Sequence, residues 1–385
     1  MAIRRRMLPN SVPAFLVHLN ALTGARIWLR VRLDQPITPS MMTGECPLVT
    51  FAHKAEPTDR GTGEQPIDRA AKKKVVLAEP RGFCAGVRRA IAMVEKALEI
   101  HGAPVYVRKE IVHNHYVVGV LKRRGAVFVE SEDEVPRGAV CVFSAHGVAP
   151  AVRSNAESRG LGTIDATCPL VSKVHQEARR FARDGRTLLL VGHADHEEVE
   201  GTYGEAPDQT IVVQSEDEAR ALDLPDDTPV AVLTQTTLSM DESTGIVQAL
   251  RERFTDLVTP PDDDICYAST NRQLAVKAVT ERTELVLVVG SRNSSNSVRM
   301  VEVAQRHGTP AHLVPDVGDL DERWLDGVTA VGVSAGASAP EILVDELLER
   351  LHRLGYQEVE LSTTATEDVV FAMPASLTGT RRAAS

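Results

Sequence analysis

Three cysteines, each placed where a β-rich run gives way to a helical one, constrain this chain more than any other feature. They are Cys84 in EPRGFCAGVRRAI, Cys168 in DATCPLVSKV and Cys266 in DICYASTNRQ. At a helix N-terminus the macrodipole and the unpaired N–H groups favour a thiolate, the form that binds soft metals. Because 84 and 98 residues separate the cysteines, three distant segments must converge in space if they share a metal. This spacing argues against a zinc finger.

Composition narrows the class of protein. The 385 residues suffice for two or three domains, and the 43% hydrophobic and 25% charged content is that of a globular protein. No apolar run approaches the roughly 20 residues of a membrane span, which predicts a soluble protein with no membrane contact. A net charge of −10 argues against nonspecific nucleic-acid binding. Unpaired cysteines and the lack of a secretory signal predict a cytoplasmic location.

The two ends of the chain differ from its middle. Residues 1–72 hold ten Lys or Arg against six Asp or Glu, with no acid before Asp34 and a polar, Gly-containing stretch at the end. A transit peptide is one interpretation; a poorly ordered extension or an overextended start codon is favoured. We assign no chemistry to this segment or to its Cys46, and we set residues 356–385 apart as a C-terminal tail.

From Lys74 onward, short β-rich runs alternate with amphipathic helical stretches, which predicts an α/β fold with mostly parallel sheets. One unit recurs three times as a pair of strands, each followed by a polar loop. The pairs are PVYVRKEIVHN with AVCVFSAHG, TLLLVGHADHEE with VAVLTQTTLS, and LVLVVGSRNSSNS with AVGVSAGASAP. The repeat predicts three similar domains, over residues 86–168, 169–262, and 73–85 with 263–355.

The six polar loops carry the candidate site residues. Ligands of open α/β sheets collect beyond the carboxyl ends of the strands, so these loops are expected to line one central cavity. The loop side chains are His113 and His146, then His196, Glu198 and Thr236, then Ser294, Ser295, Asn296 and Ser338. Each has an alternative: structural histidines, a solvated acidic loop around Glu198, and helix caps for the Ser, Thr and Asn residues.

Cysteine-only ligation suits either zinc or an iron–sulfur cluster. Three thiolates on a four-iron cluster would leave one iron free to take a substrate oxygen. Cys141, inside the run AVCVFS, is predicted to be a buried strand residue. No Walker P-loop is present, but helix N-termini and neutral donors can also hold phosphate. His196 and Glu198 form a plausible pair for proton delivery.

Nine ordered motifs resemble the LytB/IspH family of 4-hydroxy-3-methylbut-2-enyl diphosphate reductases. They are EPRGFCAGV, IVHNHYVV, FSAHGV, DATCPLV, GHADHEEVEGT, TQTTLS, DDICYASTNRQ, VVGSRNSSNS and GASAPEILV, spread from about Lys74 to Gly355. The resemblance implies a cloverleaf of three α/β domains around a 4Fe-4S cluster. It also implies reductive removal of the C4 hydroxyl of the substrate, giving isopentenyl and dimethylallyl diphosphate.

The resemblance further implies a role for each site residue. Cys84, Cys168 and Cys266 would hold the cluster, one iron of which has no protein ligand. The diphosphate would be held by His113, His146, His196, Ser294, Ser295, Asn296 and Ser338. Thr236 would lie at the hydroxyl end of the substrate with Glu198 as proton donor. A reduced ferredoxin or flavodoxin would supply the electrons.

Three positions depart from the usual family pattern: Arg88 replaces a frequent Asp, Lys109 a frequent His and Ser269 a frequent Thr. Arg88 and Lys109 are expected to alter the electrostatics near the cluster or the docking of the electron donor, whereas Ser269 keeps the hydroxyl. Two other functions stay open at this point: a hydro-lyase that uses the free iron without reduction, and a noncatalytic iron–sulfur sensor.

Overall fold

The computed structural model describes residues 14–20, 26–32 and 72–378. Strands β1 (Ala14–Asn20) and β2 (Arg26–Arg32) pair in antiparallel orientation and belong to a compact unit of their own. The prediction of a poorly ordered extension over residues 1–72 stays a prediction, because most of that segment, Cys46 included, lies outside the described residues.

The first lobe follows β3 (Lys74–Glu79) and is built on a parallel four-stranded sheet. Its strands are β4 (Val105–Arg108), β5 (Ala126–Val129), β6 (Val140–Phe143) and β7 (Gly162–Asp165), in the order β5-β4-β6-β7. Its helices are α1 (Ala85–His101), α2 (His115–Arg123) and α3 (Pro150–Ser158). Helix α1 buries Ala90, Met93, Val94 and Ala97 at helical spacing against this sheet.

The second lobe repeats the arrangement. Its strands are β8 (Thr187–Val191), β9 (Thr210–Val213), β10 (Val230–Thr234) and β11 (Leu257–Val258), in the order β11-β10-β8-β9. Its helices are α4 (Pro169–Arg183), α5 (Glu197–Tyr203), α6 (Glu216–Ala221) and α7 (Met240–Arg253). Strand β8 reads as a continuous apolar run because helices cover both faces of the sheet.

The third lobe brings β3, which precedes the first lobe in the chain, into one parallel sheet with four strands that follow the second lobe. It joins β3 to β12 (Leu285–Val289), β13 (Ala311–Val314), β14 (Ala330–Ala335) and β15 (Glu358–Thr363), in the order β13-β12-β14-β3-β15. Its helices are α8 (Tyr267–Thr280), α9 (Ser295–Arg306) and α10 (Glu341–Arg353). The predicted α/β fold with three similar lobes is confirmed.

Part of the predicted C-terminal tail belongs to the packed structure. Strand β15 pairs in parallel with β3 over its full length, so the third sheet continues beyond the predicted limit at residue 355. Residues 364–378 then leave that sheet, and Leu377 packs into the core of the first lobe. We call residues 364–378 the C-terminal strap.

The repeat is visible in topology as well as in sequence. In each lobe the first strand of the repeat lies between the second and the third, as in β5-β4-β6, β9-β8-β10 and β13-β12-β14. The crevice between the first and third strands is the switch point at which open α/β sheets bind ligands. The loops that follow these two strands are, in every lobe, the loops that carry the candidate residues. Across the described ranges, no helix is both long and apolar enough to span a membrane.

Candidate functional site

One cavity receives loops from all three lobes. All twelve predicted site residues line it: Cys84, Cys168, Cys266, His113, His146, His196, Glu198, Thr236, Ser294, Ser295, Asn296 and Ser338. Apolar side chains, among them Val87, Val112, Leu170 and Val171, fill the wall between them. Polar groups from six separate loops therefore converge in a largely apolar pocket, which is the usual composition of a small-molecule site.

Each of the three cysteines is the N-cap residue of a helix, as their strand-to-helix position predicts. Cys84 precedes α1 and its sulfur accepts the backbone N–H of Val87 at 3.5 Å. Cys266 precedes α8 and accepts the N–H of Ser269 at 3.4 Å. Cys168 precedes α4, which opens with a proline. The sulfurs therefore lie at three helix N-termini that point into one cavity.

The spacing of the sulfurs fits a cluster and does not fit a single ion. A Cβ placed on Gly86 would lie 2.8 Å from the Cys168 sulfur and 3.8 Å from the Cys84 sulfur, so these sulfurs are at most 6.6 Å apart. Within the described residues, the three cysteines are not among the ligand sets whose atoms all lie within 4.8 Å of one another. Thiolates on one zinc ion are no more than about 4.6 Å apart. Three thiolates at wider spacing suit a cluster in which each binds its own iron.

The pKa values of two of the cysteines contradict the expectation that a helix N-terminus makes the thiol a thiolate. Burial raises the pKa of Cys168 to about 12 and that of Cys266 to about 11, and mutual repulsion with Cys84 adds to both shifts. Backbone N–H groups at the helix starts act in the opposite direction but are outweighed. The helix termini alone therefore do not produce thiolates, and a positively charged metal centre must compensate the buried charge. Cys141 is a fully buried strand residue in a separate apolar cluster, as predicted.

Three histidines from two lobes form one wall of the cavity. The rings of His113 and His146 stack with centroids 4.0 Å apart, and His196 meets them edge-on at 5.6 and 5.8 Å. Burial and the neighbouring His113 lower the pKa of His146, and burial with both neighbours lowers that of His196 to about 3. The Nδ1 atom of His196 accepts the N–H of Glu198 at 3.1 Å, so neutral His196 carries its proton on Nε2.

Two carboxylates behind this wall orient the other two rings. Glu197 Oε2 lies 3.1 Å from His146 Nδ1, and Glu110 Oε2 lies 3.3 Å from His113 Nδ1. Although burial would raise the pKa of Glu197, its hydrogen bond with His146 and the nearby basic groups hold it at about 2. An ionised Glu197 fixes the proton of His146 on Nδ1 and favours the imidazolium when an anion binds at Nε2.

The serine-rich loop before α9 offers neutral donors and a helix N-terminus. Ser294 occupies the N-cap position but makes no capping hydrogen bond. Its hydroxyl instead accepts from Ser297 at 3.0 Å and from Ser338 at 3.3 Å. Asn296 accepts the N–H of Ala337 at 2.8 Å, which joins the two loops of this lobe. The purely capping interpretation is wrong for Ser294, and its position beside the start of α9 suits an anion.

Glu198 and Thr236 form a buried pair between the two loops of the second lobe. The carboxyl accepts the backbone N–H of Thr236 at 2.6 Å and its hydroxyl at 3.0 Å. Burial raises the pKa of Glu198 to about 7, despite the hydrogen bonds from Thr236 that lower it. The solvated-loop alternative is wrong, because Glu198 is 2% exposed. Thr236 is not a cap either, since Ser239 caps α7.

Sequence reasoning missed several contributors. The local sequence gives no signal that singles out Glu197 or Glu110, although each lies one to three residues from a candidate residue. The three residues that depart from the usual family pattern lie in different places. Ser269 Oγ lies 3.2 Å from the Cys266 sulfur. Arg88 is exposed above the Phe83 ring, and Lys109 lies 3.7 Å from Glu200. Neither Arg88 nor Lys109 lines the cavity.

Comparisons with known proteins agree with this geometry. The family model described as LytB protein matches residues 75–352. A 4-hydroxy-3-methylbut-2-enyl diphosphate reductase of Nocardia farcinica is 58% identical over 324 residues, covering 84% of this chain and 96% of that protein. One of Mycobacterium sp. strain JLS is 61% identical over 303 residues, covering 78% and 91%.

A solved structure extends the comparison to the fold. The E-1-hydroxy-2-methyl-but-2-enyl-4-diphosphate reductase from Plasmodium falciparum superposes with a TM-score of 0.78 at 38% identity, covering 80% of this chain and 97% of that one. The fold and the site define an α/β enzyme of three lobes around a cysteine-lined centre. The chain belongs to the LytB family, a family of iron–sulfur enzymes.

Proposed function

We infer that this chain is an oxidoreductase that removes the C4 hydroxyl of (E)-4-hydroxy-3-methylbut-2-enyl diphosphate. Two electrons and two protons convert the allylic alcohol to isopentenyl or dimethylallyl diphosphate and one water. This reaction is the last step of the non-mevalonate isoprenoid pathway. The observation that carries the inference is the convergence in one cavity of three cysteines, a wall of anion-binding donors and a buried acid with a pKa of about 7.

The diphosphate end of the substrate is assigned to the histidine wall and the α9 loop. His113, His146 and His196 offer ring nitrogens, and Ser294, Ser295, Asn296 and Ser338 offer neutral donors. Glu197 and Glu110 bond to the Nδ1 atoms of His146 and His113, which leaves the Nε2 atoms of these rings for the anion. Neutral donors and helix N-termini can hold phosphate without a cluster of Lys and Arg side chains. This suits an acidic chain.

The end of the cavity that the three cysteines line is assigned to one 4Fe-4S cluster. Cys84, Cys168 and Cys266 would each bind one iron, and the fourth iron would have no protein ligand. When bound, the cluster supplies electrons and a Lewis-acidic position for the substrate hydroxyl. The cavity wall fixes the allylic chain between the two ends, which makes the reaction effectively intramolecular. We propose a reduced ferredoxin or flavodoxin as electron donor and the cytoplasm as the location.

Glu198 is assigned as the proton donor for the departing water. Its pKa of about 7 keeps a substantial protonated fraction at neutral pH, which an exposed glutamate does not have. Thr236 holds this carboxyl with two hydrogen bonds and brings its own hydroxyl to the cavity. His196, two residues before Glu198, adds a second hydrogen-bond donor. Its proton is on Nε2 because Nδ1 accepts the N–H of Glu198.

Anaerobic turnover with a reduced viologen dye tests the activity. The chain is expected to consume the allylic diphosphate and release both five-carbon diphosphates, with dye oxidation matching product at two electrons per molecule. Consumption of the substrate without dye oxidation, with a more unsaturated dehydrated diphosphate in place of the two products, would indicate nonreductive dehydration and contradict the proposal. A cluster that changes redox state without product would indicate a sensor and contradict it equally.

A further inference from the structure

Arg272 on α8 is the largest fully buried side chain of the described chain, and its guanidinium joins two cysteine segments. Its Nε and Nη2 atoms donate to the carbonyl of Gly82 at 3.1 and 2.5 Å. Its Nη1 atom donates to the carbonyl of Ala268 at 3.0 Å. Gly82 lies two residues before Cys84, and Ala268 lies two residues after Cys266. One rigid cation therefore ties together the backbones that present two of the three sulfurs.

Glu367, on the C-terminal strap, balances this buried charge. Its carboxylate lies 2.9 Å from Nη1 and 3.3 Å from Nη2 of Arg272, and it also accepts from Asn271 at 3.2 Å. The side chain of Arg272 is 0% exposed and that of Glu367 is 15% exposed. An arginine without access to water requires such a partner, because a buried charge left unpaired is strongly destabilising.

The same strap reaches the third cysteine segment. Arg89 Nε donates to the carbonyl of Ala372 at 2.9 Å, while its Nη1 atom donates to the carbonyl of Thr167 at 3.2 Å. Thr167 directly precedes Cys168. The strap is anchored on the other side where the Thr364 N–H donates to the carbonyl of Glu79 at 2.8 Å. It thus connects, through Arg272 and Arg89, to all three segments that carry the sulfurs.

We propose that Arg272 and Glu367 are positioning residues that hold Cys84 and Cys266 at the spacing the cluster requires. The proposal rests on the proposed function, since it assumes that these cysteines hold a cluster. Without the carboxylate, the guanidinium is drawn toward water, and its bonds to Gly82 and Ala268 loosen together. The predicted consequence is faster loss of iron, because the ligand segments then separate more often.

The test compares E367Q with a matched control in the anaerobically purified holoprotein. The control is E132Q, which removes the charge of another Arg–Glu pair: Arg108 and Glu132 are 2.9 Å apart and 11% and 7% exposed, and neither lines the cavity. Two quantities are measured: the rate at which a ferrous chelator removes iron, and hydrogen exchange at the amides of Gly82, Cys84 and Thr270. E367D keeps the charge and serves as the conservative rescue.

Iron release and exchange at these amides are expected to be about tenfold faster in E367Q than in the wild type, and within twofold of the wild type in E132Q. E367D, whose shorter side chain holds the carboxylate farther from Arg272, should release iron more than twofold faster than the wild type and more slowly than E367Q. Equal rates in E367Q and E132Q would overturn the proposal. If E367Q cannot be isolated with its cluster, E367D decides: release no faster than in E132Q overturns it. Wild-type protein that binds no iron would instead defeat the proposed function.

Discussion

Replacing Glu198 with glutamine removes the proposed proton donor while preserving the shape of the site. The carboxyl is 2% exposed and is held by the N–H and hydroxyl of Thr236 at 2.6 and 3.0 Å. A glutamine carbonyl can accept the same N–H, and the threonine hydroxyl can rotate to accept from the amide. The fold and the cysteine segments should therefore be unaffected, while no transferable proton remains.

The expected loss follows from the contribution of general acid catalysis. A positioned acid accelerates proton transfer by about 10²–10⁴-fold, so kcat of E198Q should fall at least about 100-fold with KM within a few-fold. The wild-type rate should also depend on pH. Because burial raises the pKa of Glu198 to about 7, the acid form is present below pH 7 and is lost as pH rises through that value. About one donor in eleven remains protonated at pH 8, and E198Q should lack this decline.

The assay is anaerobic substrate consumption with a reduced viologen dye, which removes dependence on a protein donor, together with iron content and the visible spectrum. An unchanged kcat at full iron content would refute the assignment of Glu198 as proton donor. A loss of activity that only parallels a loss of iron would refute the claim that this residue acts on the proton and not on the cluster.

Three further predictions concern the rest of the cavity. Serine at any of the three cysteine ligands (Cys84, Cys168 and Cys266) should abolish the cluster absorbance, whereas C141S should retain it; the reverse pattern in a spectrum and iron assay would show that the ligand set is wrong. E197Q should raise KM about tenfold with little change in kcat, because the ionised carboxylate at His146 Nδ1 favours the imidazolium that binds the diphosphate; a pure kcat effect in steady-state kinetics would contradict this. T236V should move the pH of half-maximal rate upward, since it removes a hydroxyl bond that lowers the pKa of Glu198; a downward move in the pH profile would reverse the argument.

Much of the architecture could be predicted because it depends on short-range pattern. The three strand pairs are readable as apolar runs, and the rule that polar loops gather at the carboxyl ends of parallel strands places His113, His146 and His196 together. The strand-to-helix context of the three cysteines likewise predicts their N-cap positions. These features depend on residues that are close in sequence, so they do not change with the packing of distant segments.

The features that sequence reasoning missed depend on distant packing. The thiols of Cys168 and Cys266 are buried by the meeting of the lobes, and this desolvation outweighs the helix N-termini that are visible in the sequence. In the sequence, Glu197 cannot be distinguished from the acidic residues around it. Only the fold brings His146 of the first lobe within 3.1 Å of its carboxylate. The pairing of Arg272 with Glu367 spans 95 residues, and β15 joins β3 across most of the chain. No local pattern encodes these contacts.

Iron and sulfide content of the anaerobically purified chain, measured beside its reductase rate, tests the central claim most directly. The account predicts a brown protein with about four irons and four sulfides per chain, whose rate rises and falls with that content. A colourless, iron-poor preparation with full activity on the allylic diphosphate would contradict it.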